Sequence, residues 1–144
     1  MKKQLAVLAL SGILMAGMPI AWSADAASAK TTAKQQTAAL PALTKAVVDG
    51  TGIDAKTLRI KATTHLISIT RHDAKLNAAD RLERETEAQK IVAQVESFIT
   101  DKSDFSQVVT IHVDYVVLNG KKSKLVQAFE FNKSAAGSFA IHKS

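Results

Sequence analysis

The chain has no cysteine. That single absence excludes a disulfide framework, thiolate zinc sites, thiol catalysis and iron–sulfur clusters. Aromatic residues make up only 5% of the sequence, with one Trp and one Tyr, which leaves little material for a carbohydrate-stacking surface. The six glycines build no phosphate-cradling loop, and no G-x-S-x-G, H-E-x-x-H or calcium-loop spacing occurs. Long hydrophobic runs are also missing. The stretch from Leu5 to Ile20 is short and is interrupted by Gly12, Gly17 and Pro19, too broken to cross a bilayer comfortably.

What is present at the start is an address. Lys2 and Lys3 precede the apolar stretch, and small residues follow at Ala21-Trp22-Ser23, Ala24-Asp25-Ala26 and Ala27-Ser28-Ala29. A basic start, a short apolar middle and an A-x-A end predict a cleaved signal peptide over residues 1–26, with Ser23 and Ala29 as alternative cleavage points. Cleavage after Ala26 also removes Trp22. No cysteine is available for lipid anchoring, so a soluble protein of the periplasm or outside medium is expected, and the signal reads as bacterial.

The remaining 118 residues make one ordinary domain, long enough to bury about two-thirds of its unfolded surface without staples. The formal net charge is +6, and about one unit less after cleavage. A basic exported protein can meet anionic lipid, cell-wall polymer or an acidic protein; the same charge also serves simply to keep a small domain in solution. The lysines are scattered except at Lys121-Lys122-Ser123-Lys124, with no aromatic interleaving, and export argues against nucleic acid.

Residues 27–36 offer almost nothing to bury and predict a flexible mature N-terminus. The domain proper is expected over 37–144. Ala39, Leu40, Leu43, Val47 and Val48 recur at helical spacing, with Pro41 in the first turn and Asp49-Gly50-Thr51-Gly52 as the stop. Leu58 to Thr70 alternates, but Leu58, Ile60 and Ala62 have the opposite parity to Ile67 and Ile69. One bent strand with a bulge near Thr63-Thr64 is preferred; two short strands meeting there also satisfy the pattern. Asn77 is then read as the cap of a helix from about Ala78 to Thr100, whose apolar stripe is Leu82, Ala88, Ile91, Val92, Val95, Phe98 and Ile99.

Three strands complete the chain. Val109, Ile111, Val113, Tyr115 and Val117 alternate with Thr110, His112, Asp114 and Val116 and are expected to face the helices. Asn119-Gly120 marks a hairpin. A three-residue loop, Asn119 to Lys121, pairs Ile111 with Phe129 and Val109 with Phe131, and Phe139 and Ile141 lie on the last strand. The predicted fold is α+β: two helices on one face of a mainly antiparallel sheet of about four strands, in the order α-β-α-β-β-β.

The other face of the sheet is the candidate site. It is expected to present Thr110, His112, Asp114, Val116, Val126, Ala128, Glu130, Ala140 and His142. His112 and His142 fall in one row with Ala128 between them, about 9–10 Å apart, too far to share one metal ion. His112 beside Asp114 is the better local pair, as a general base, a metal ligand or an ordinary surface pair. His72-Asp73 reads as turn chemistry, and His65 is isolated. No catalytic or metal-ligating set and no cofactor are expected. The face suits docking of a protein partner or of a second copy, and the last strand offers an edge for strand addition.

Leu58-Arg59-Ile60-Lys61, Leu66-Ile67-Ser68-Ile69-Thr70, Glu87-Ala88-Gln89-Lys90-Ile91-Val92-Ala93 and Val109-Thr110-Ile111-His112-Val113 together resemble the strand–helix–strand pattern of BON domains, small exported modules associated with bacterial envelopes. The resemblance covers about half of the mature chain and implies an envelope-associated module that binds anionic lipid or cell-wall polymer; the chain is not assigned to that family on this pattern. The leading functional expectation is a non-enzymatic binding or interaction protein, such as an envelope adaptor or inhibitor. The alternatives are the envelope module and a small hydrolase or metal-binding protein using His112 and Asp114. The export reading has a direct check: N-terminal sequencing of protein recovered from periplasm or medium is expected to begin Ala27-Ser28-Ala29, whereas a cytoplasmic protein starting at Met1 would remove it.

Overall fold

The computed structural model describes residues 21–142. The basic start and apolar run of the expected signal peptide lie outside them. Helix α1 (Ala21–Thr51) is followed by a short 3-10 turn (Ala55–Thr57) and strands β1 (Leu58–Ala62) and β2 (Leu66–Arg71). Helices α2 (Ala74–Ala78) and α3 (Arg81–Ile99), a second 3-10 turn (Ser103–Phe105) and strands β3 (Thr110–Asn119), β4 (Lys122–Lys133) and β5 (Phe139–Ile141) complete the order. The five strands form one sheet in sequence order, antiparallel throughout except for the parallel β2–β3 pair, which the intervening helices make possible. The α+β class with helices against the sheet is as expected, with three helices and five strands where two and about four were predicted.

The extra strand comes from the parity conflict between Leu58 and Thr70. The chain reverses at Thr64-His65, where Thr63 and Leu66 close the turn through backbone bonds in both directions. Two strands therefore replace the single bent one. The reversal pairs Ile60 with Ile69 and Ala62 with Ile67, so both apolar sets reach the same face.

A similar adjustment governs the β3–β4 hairpin. Its loop has two residues, Gly120 and Lys121, closed by the pair Asn119–Lys122, with Gly120 at φ +62°. A loop of two would send Phe129 and Phe131 to the wrong face. The register slips by one residue where Tyr115 faces Gln127 but Val116 faces Leu125, leaving Val126 as a bulged extra residue. Ile111 then pairs with Phe131 and Val113 with Phe129, two residues from the expected register but on the expected face.

The helices depart from expectation at their starts. Residues 27–36 are helical and continuous with the rest of α1. Low apolar content predicts disorder there, but Ala, Lys and Gln are good helix formers. Gln36 is fully buried, and its Nε2 donates to the Asp104 carbonyl at 2.9 Å. Pro41 consequently lies well inside α1, on an exposed side, and not in its first turn. Gly52, at φ +74°, ends the chain's helical path with its N–H on the Val48 carbonyl. Asn77 lies inside α2; the caps are Asp73 for α2 and Asp80 for α3, the latter accepting from Glu83 N at 2.9 Å.

The core lies between the helices and one sheet face. Leu43 and Val47 of α1, Ala88, Ile91, Val92, Val95 and Ile99 of α3, and Ile67, Ile69, Ile111, Val113, Tyr115, Phe129 and Phe131 of the sheet form one cluster. Leu82, expected in the α3 stripe, is 70% exposed. Arg84 takes a buried place on α3 instead, its Nη1 donating to the Leu76 and Ala79 carbonyls and so capping the end of α2.

One polar cluster crosses from helix to sheet. Arg71, at the end of β2, is buried, and its Nε donates to Glu87 of α3 at 2.9 Å while Nη2 reaches Asp73 at 3.0 Å. Nη1 bonds Thr57 Oγ1. The Tyr115 hydroxyl donates to the Arg84 carbonyl at 3.0 Å and to Glu87 at 3.2 Å. Burial, reinforced by the Glu87 charge, pushes the phenol well above its usual range, so it stays a donor. Removing one member of a buried pair leaves the other uncompensated, so Arg71→Ala is expected to destabilise by about 3 kcal/mol. Tyr115→Phe is expected to lose about 1 kcal/mol. Urea denaturation checks both, and equal stabilities for wild type and Arg71→Ala would contradict the role given to this cluster.

Candidate functional site

The helices cover one side of the sheet, and alternation sends the other residues of each strand to the opposite, outer side. Ser68, Thr70, Thr110, His112 and Asp114 are half-buried there, while Ala128, Glu130, Ala140 and His142 are exposed. Register sets the neighbours. Ser68 pairs with His112, His112 with Glu130, and the backbone N–H of His142 donates to the Glu130 carbonyl at 2.7 Å. The two histidines thus share a row as expected, but Glu130, not Ala128, stands between them; Ala128 lies opposite Asp114.

This two-residue difference in register changes the chemistry. His112 Nε2 lies 3.1 Å from Glu130 Oε2. The other Glu130 oxygen accepts from Asn132 Nδ2 at 2.8 Å, and Asn132 Oδ1 accepts from Thr110 Oγ1 at 3.0 Å. A chain of side chains, Thr110–Asn132–Glu130–His112, therefore runs over β3 and β4. The Asn132 donation, with the neighbouring His112 and His142, holds the Glu130 carboxyl below its usual range. Asp114 goes the other way: partial burial raises its carboxyl, against the attraction of His112. The local pair is thus His112 with Glu130. Among the described residues no three His, Asp or Glu side chains are placed to hold one metal ion.

Two residues expected on this face do not extend it. Val116 is buried outside the main core, where Asn77 of α2 donates its Nδ2 to the Val116 carbonyl at 2.9 Å. Val126 is the bulged residue of β4. The expectation that Val109 and Val117 face the helices also fails: Val109 precedes β3 and is 50% exposed, and Val117 lies beyond the bulge at 40%. The remaining histidines serve the backbone. His65 sits in the β1–β2 turn, and its carbonyl accepts from Val109 and Thr110; the His72 N–H donates to Thr57. Asp73 caps α2 and accepts from Arg71. Burial raises its carboxyl, but the Lys75 and Leu76 N–H groups and the Arg71 charge outweigh that and hold it low.

The edges of the sheet matter as much as its face. Among the described residues, β5 pairs with β4 from Phe131 to Lys133 and the His142 bond to Glu130 is the last backbone contact, so from Ala128 back to the hairpin turn the edge of β4 has no described partner strand. A cleft of about 500 Å³ follows this opening, lined by Arg81 and Glu85 of α3, Gln127, Ala128, Glu130 and His142. On the other side, β2 pairs with β3 only as far as Tyr115. Among the described residues the hairpin from Val116 to Val126 consequently has no third strand. Comparison of the chain with protein-family profiles, curated proteins and solved structures gives no match.

The two carboxyls on this face predict opposite pH effects. Glu130 is depressed on folding, so its contribution is present above the usual glutamate range and lost as pH falls through its folded value. Asp114 is raised, so folding penalises its charge above the folded value and not below the unfolded one. Glu130→Gln is expected to lower the melting temperature at pH 7 and Asp114→Asn to raise it, both differences fading once the pH is low enough to protonate the two carboxyls in folded and unfolded chain alike. Thermal melts across pH 2.5–7 check this; shifts of the same sign at pH 7 would contradict it.

Proposed function

We propose that the protein is an exported, non-enzymatic binding protein that docks a protein partner on the outer face of its sheet. The observation that carries the reading is the organised polar surface around Thr110, Asn132, Glu130 and His112, which no described element covers. The described helices occupy the opposite side, so among the described residues this face can meet another surface while the core stays closed. Partner surfaces recognise such a patch through fixed donors and acceptors, and Asn132 fixes the Glu130 carboxylate for that purpose. The basic start, apolar run and small-residue cleavage pattern at the N-terminus support export.

An envelope adaptor or inhibitor is the form of binding protein this reading favours. The His112–Glu130 pair has the contact that a general base needs, but catalysis also requires a nucleophile or reacting atom within reach, which the reading does not invoke. Purified protein is expected to capture one stoichiometric partner from envelope extract. His112→Ala combined with Glu130→Arg is expected to weaken that capture at least tenfold while the fold, followed by circular dichroism, persists. Capture unaffected by the double substitution, or no protein captured at all, would count against the outer face as the docking surface.

A further inference from the structure

The β3–β4 hairpin carries chemistry separate from the outer face. Between Val116 and Val126 it bears Lys121, Lys122 and Lys124 and no acidic residue. It also holds four large apolar side chains in the open: Val117 at 40%, Leu118 at 52%, Leu125 at 56% and Val126 at 37% exposure. Val117 pairs with Lys124 and Leu118 with Ser123, and adjacent pairs point to opposite faces, so the exposed apolar residues lie on both sides of the ribbon. Unsupported by a third strand, the arm reaches about 13 Å beyond the pairing with β2. At its base Val117 and Leu118 adjoin a shallow groove of about 470 Å³ shared with His72 and Ala78.

We propose that this hairpin is a membrane-contacting element that seats its apolar side chains in the interface of a bilayer rich in anionic lipid, with Lys121, Lys122 and Lys124 against the headgroups. A protein groove covers one face of a ribbon, whereas a lipid interface receives both. The lysines supply the charge match and their stems reach outward from apolar surroundings. Insertion stays shallow, because beyond Val116, whose carbonyl accepts from Asn77, the outer edges of both strands have no partner strand among the described residues. A second copy is the poorer occupant: edge-to-edge pairing of β4 would bring Lys122 and Lys124 toward their counterparts, and the Val126 bulge interrupts the ladder.

Co-sedimentation of the full chain tests the proposal with vesicles of phosphatidylethanolamine and phosphatidylglycerol, against pure phosphatidylcholine. Each lysine near an anionic surface contributes roughly a fivefold gain in partition, so Lys121→Gln/Lys122→Gln/Lys124→Gln is expected to weaken binding to the anionic vesicles on the order of 100-fold. Leu118→Ser/Leu125→Ser is expected to weaken it with the charge unchanged. Lys56→Gln/Lys61→Gln/Lys90→Gln, on exposed positions elsewhere, is expected to bind as wild type. All variants share residues 1–20, so any binding from that segment cancels in the comparison. Thermal melts establish that each is folded. Equal binding to both vesicle types, no binding to either, an unaffected hairpin lysine variant, or an equal loss in the control lysine variant would overturn the proposal. Wild-type dimerisation that the hairpin substitutions abolish, without lipid binding, would assign the arm to a second copy instead. Failure here leaves the outer-face reading standing, since neither His112 nor Glu130 takes part.

Discussion

Side chains alternate across a strand, so each residue sent to the core commits its neighbours to the other face. In this protein that constraint is tightest where β3 meets β4. Ile111 and Val113 must meet Phe131 and Phe129 over the helices, yet the Gly120-Lys121 turn sets the opposite parity. The Val126 bulge resolves the conflict by inserting one residue. The same insertion brings His112 to Glu130 on the outside. Core and candidate site are thus two sides of one register, and a slip of one residue would exchange them.

The helices depend on that one-sided sheet. Ile91, Val92 and Val95 of α3 and Leu43 and Val47 of α1 have a continuous apolar floor only because both hairpins deliver their apolar sets to one side. At the margin of the floor Arg71, Glu87 and Tyr115 join β2, α3 and β3 through charged and neutral hydrogen bonds. A buried arginine is tolerated there because carboxylates and a hydroxyl receive its donors. This cluster orients α3 and needs no ligand to account for it.

The two surfaces proposed as contacts differ in kind. The outer sheet face is polar and internally bonded, a surface suited to directional contacts. The hairpin arm is apolar and cationic, a combination suited to an interface between oil and charged headgroups. In the two proposals, a single small domain holds a partner with one and a bilayer with the other. No helix among the described residues is long and apolar enough to cross a membrane.

Much of this architecture is legible in residue order. The α+β class, the apolar stripe of α3, and the facing of Ile111, Val113, Phe129 and Phe131 follow from periodicity, which each segment carries locally. The parity conflict between Ile60 and Ile69 was visible too, although periodicity does not distinguish a bulge from a reversal. Tertiary structure alone decided where the reversals and the extra residue fall, because these depend on which pairing lets distant apolar residues meet. It therefore decided that Glu130, rather than Asp114, partners His112. It also buried Arg71 and Arg84, which become core residues only when Glu87 and the end of α2 are brought to them.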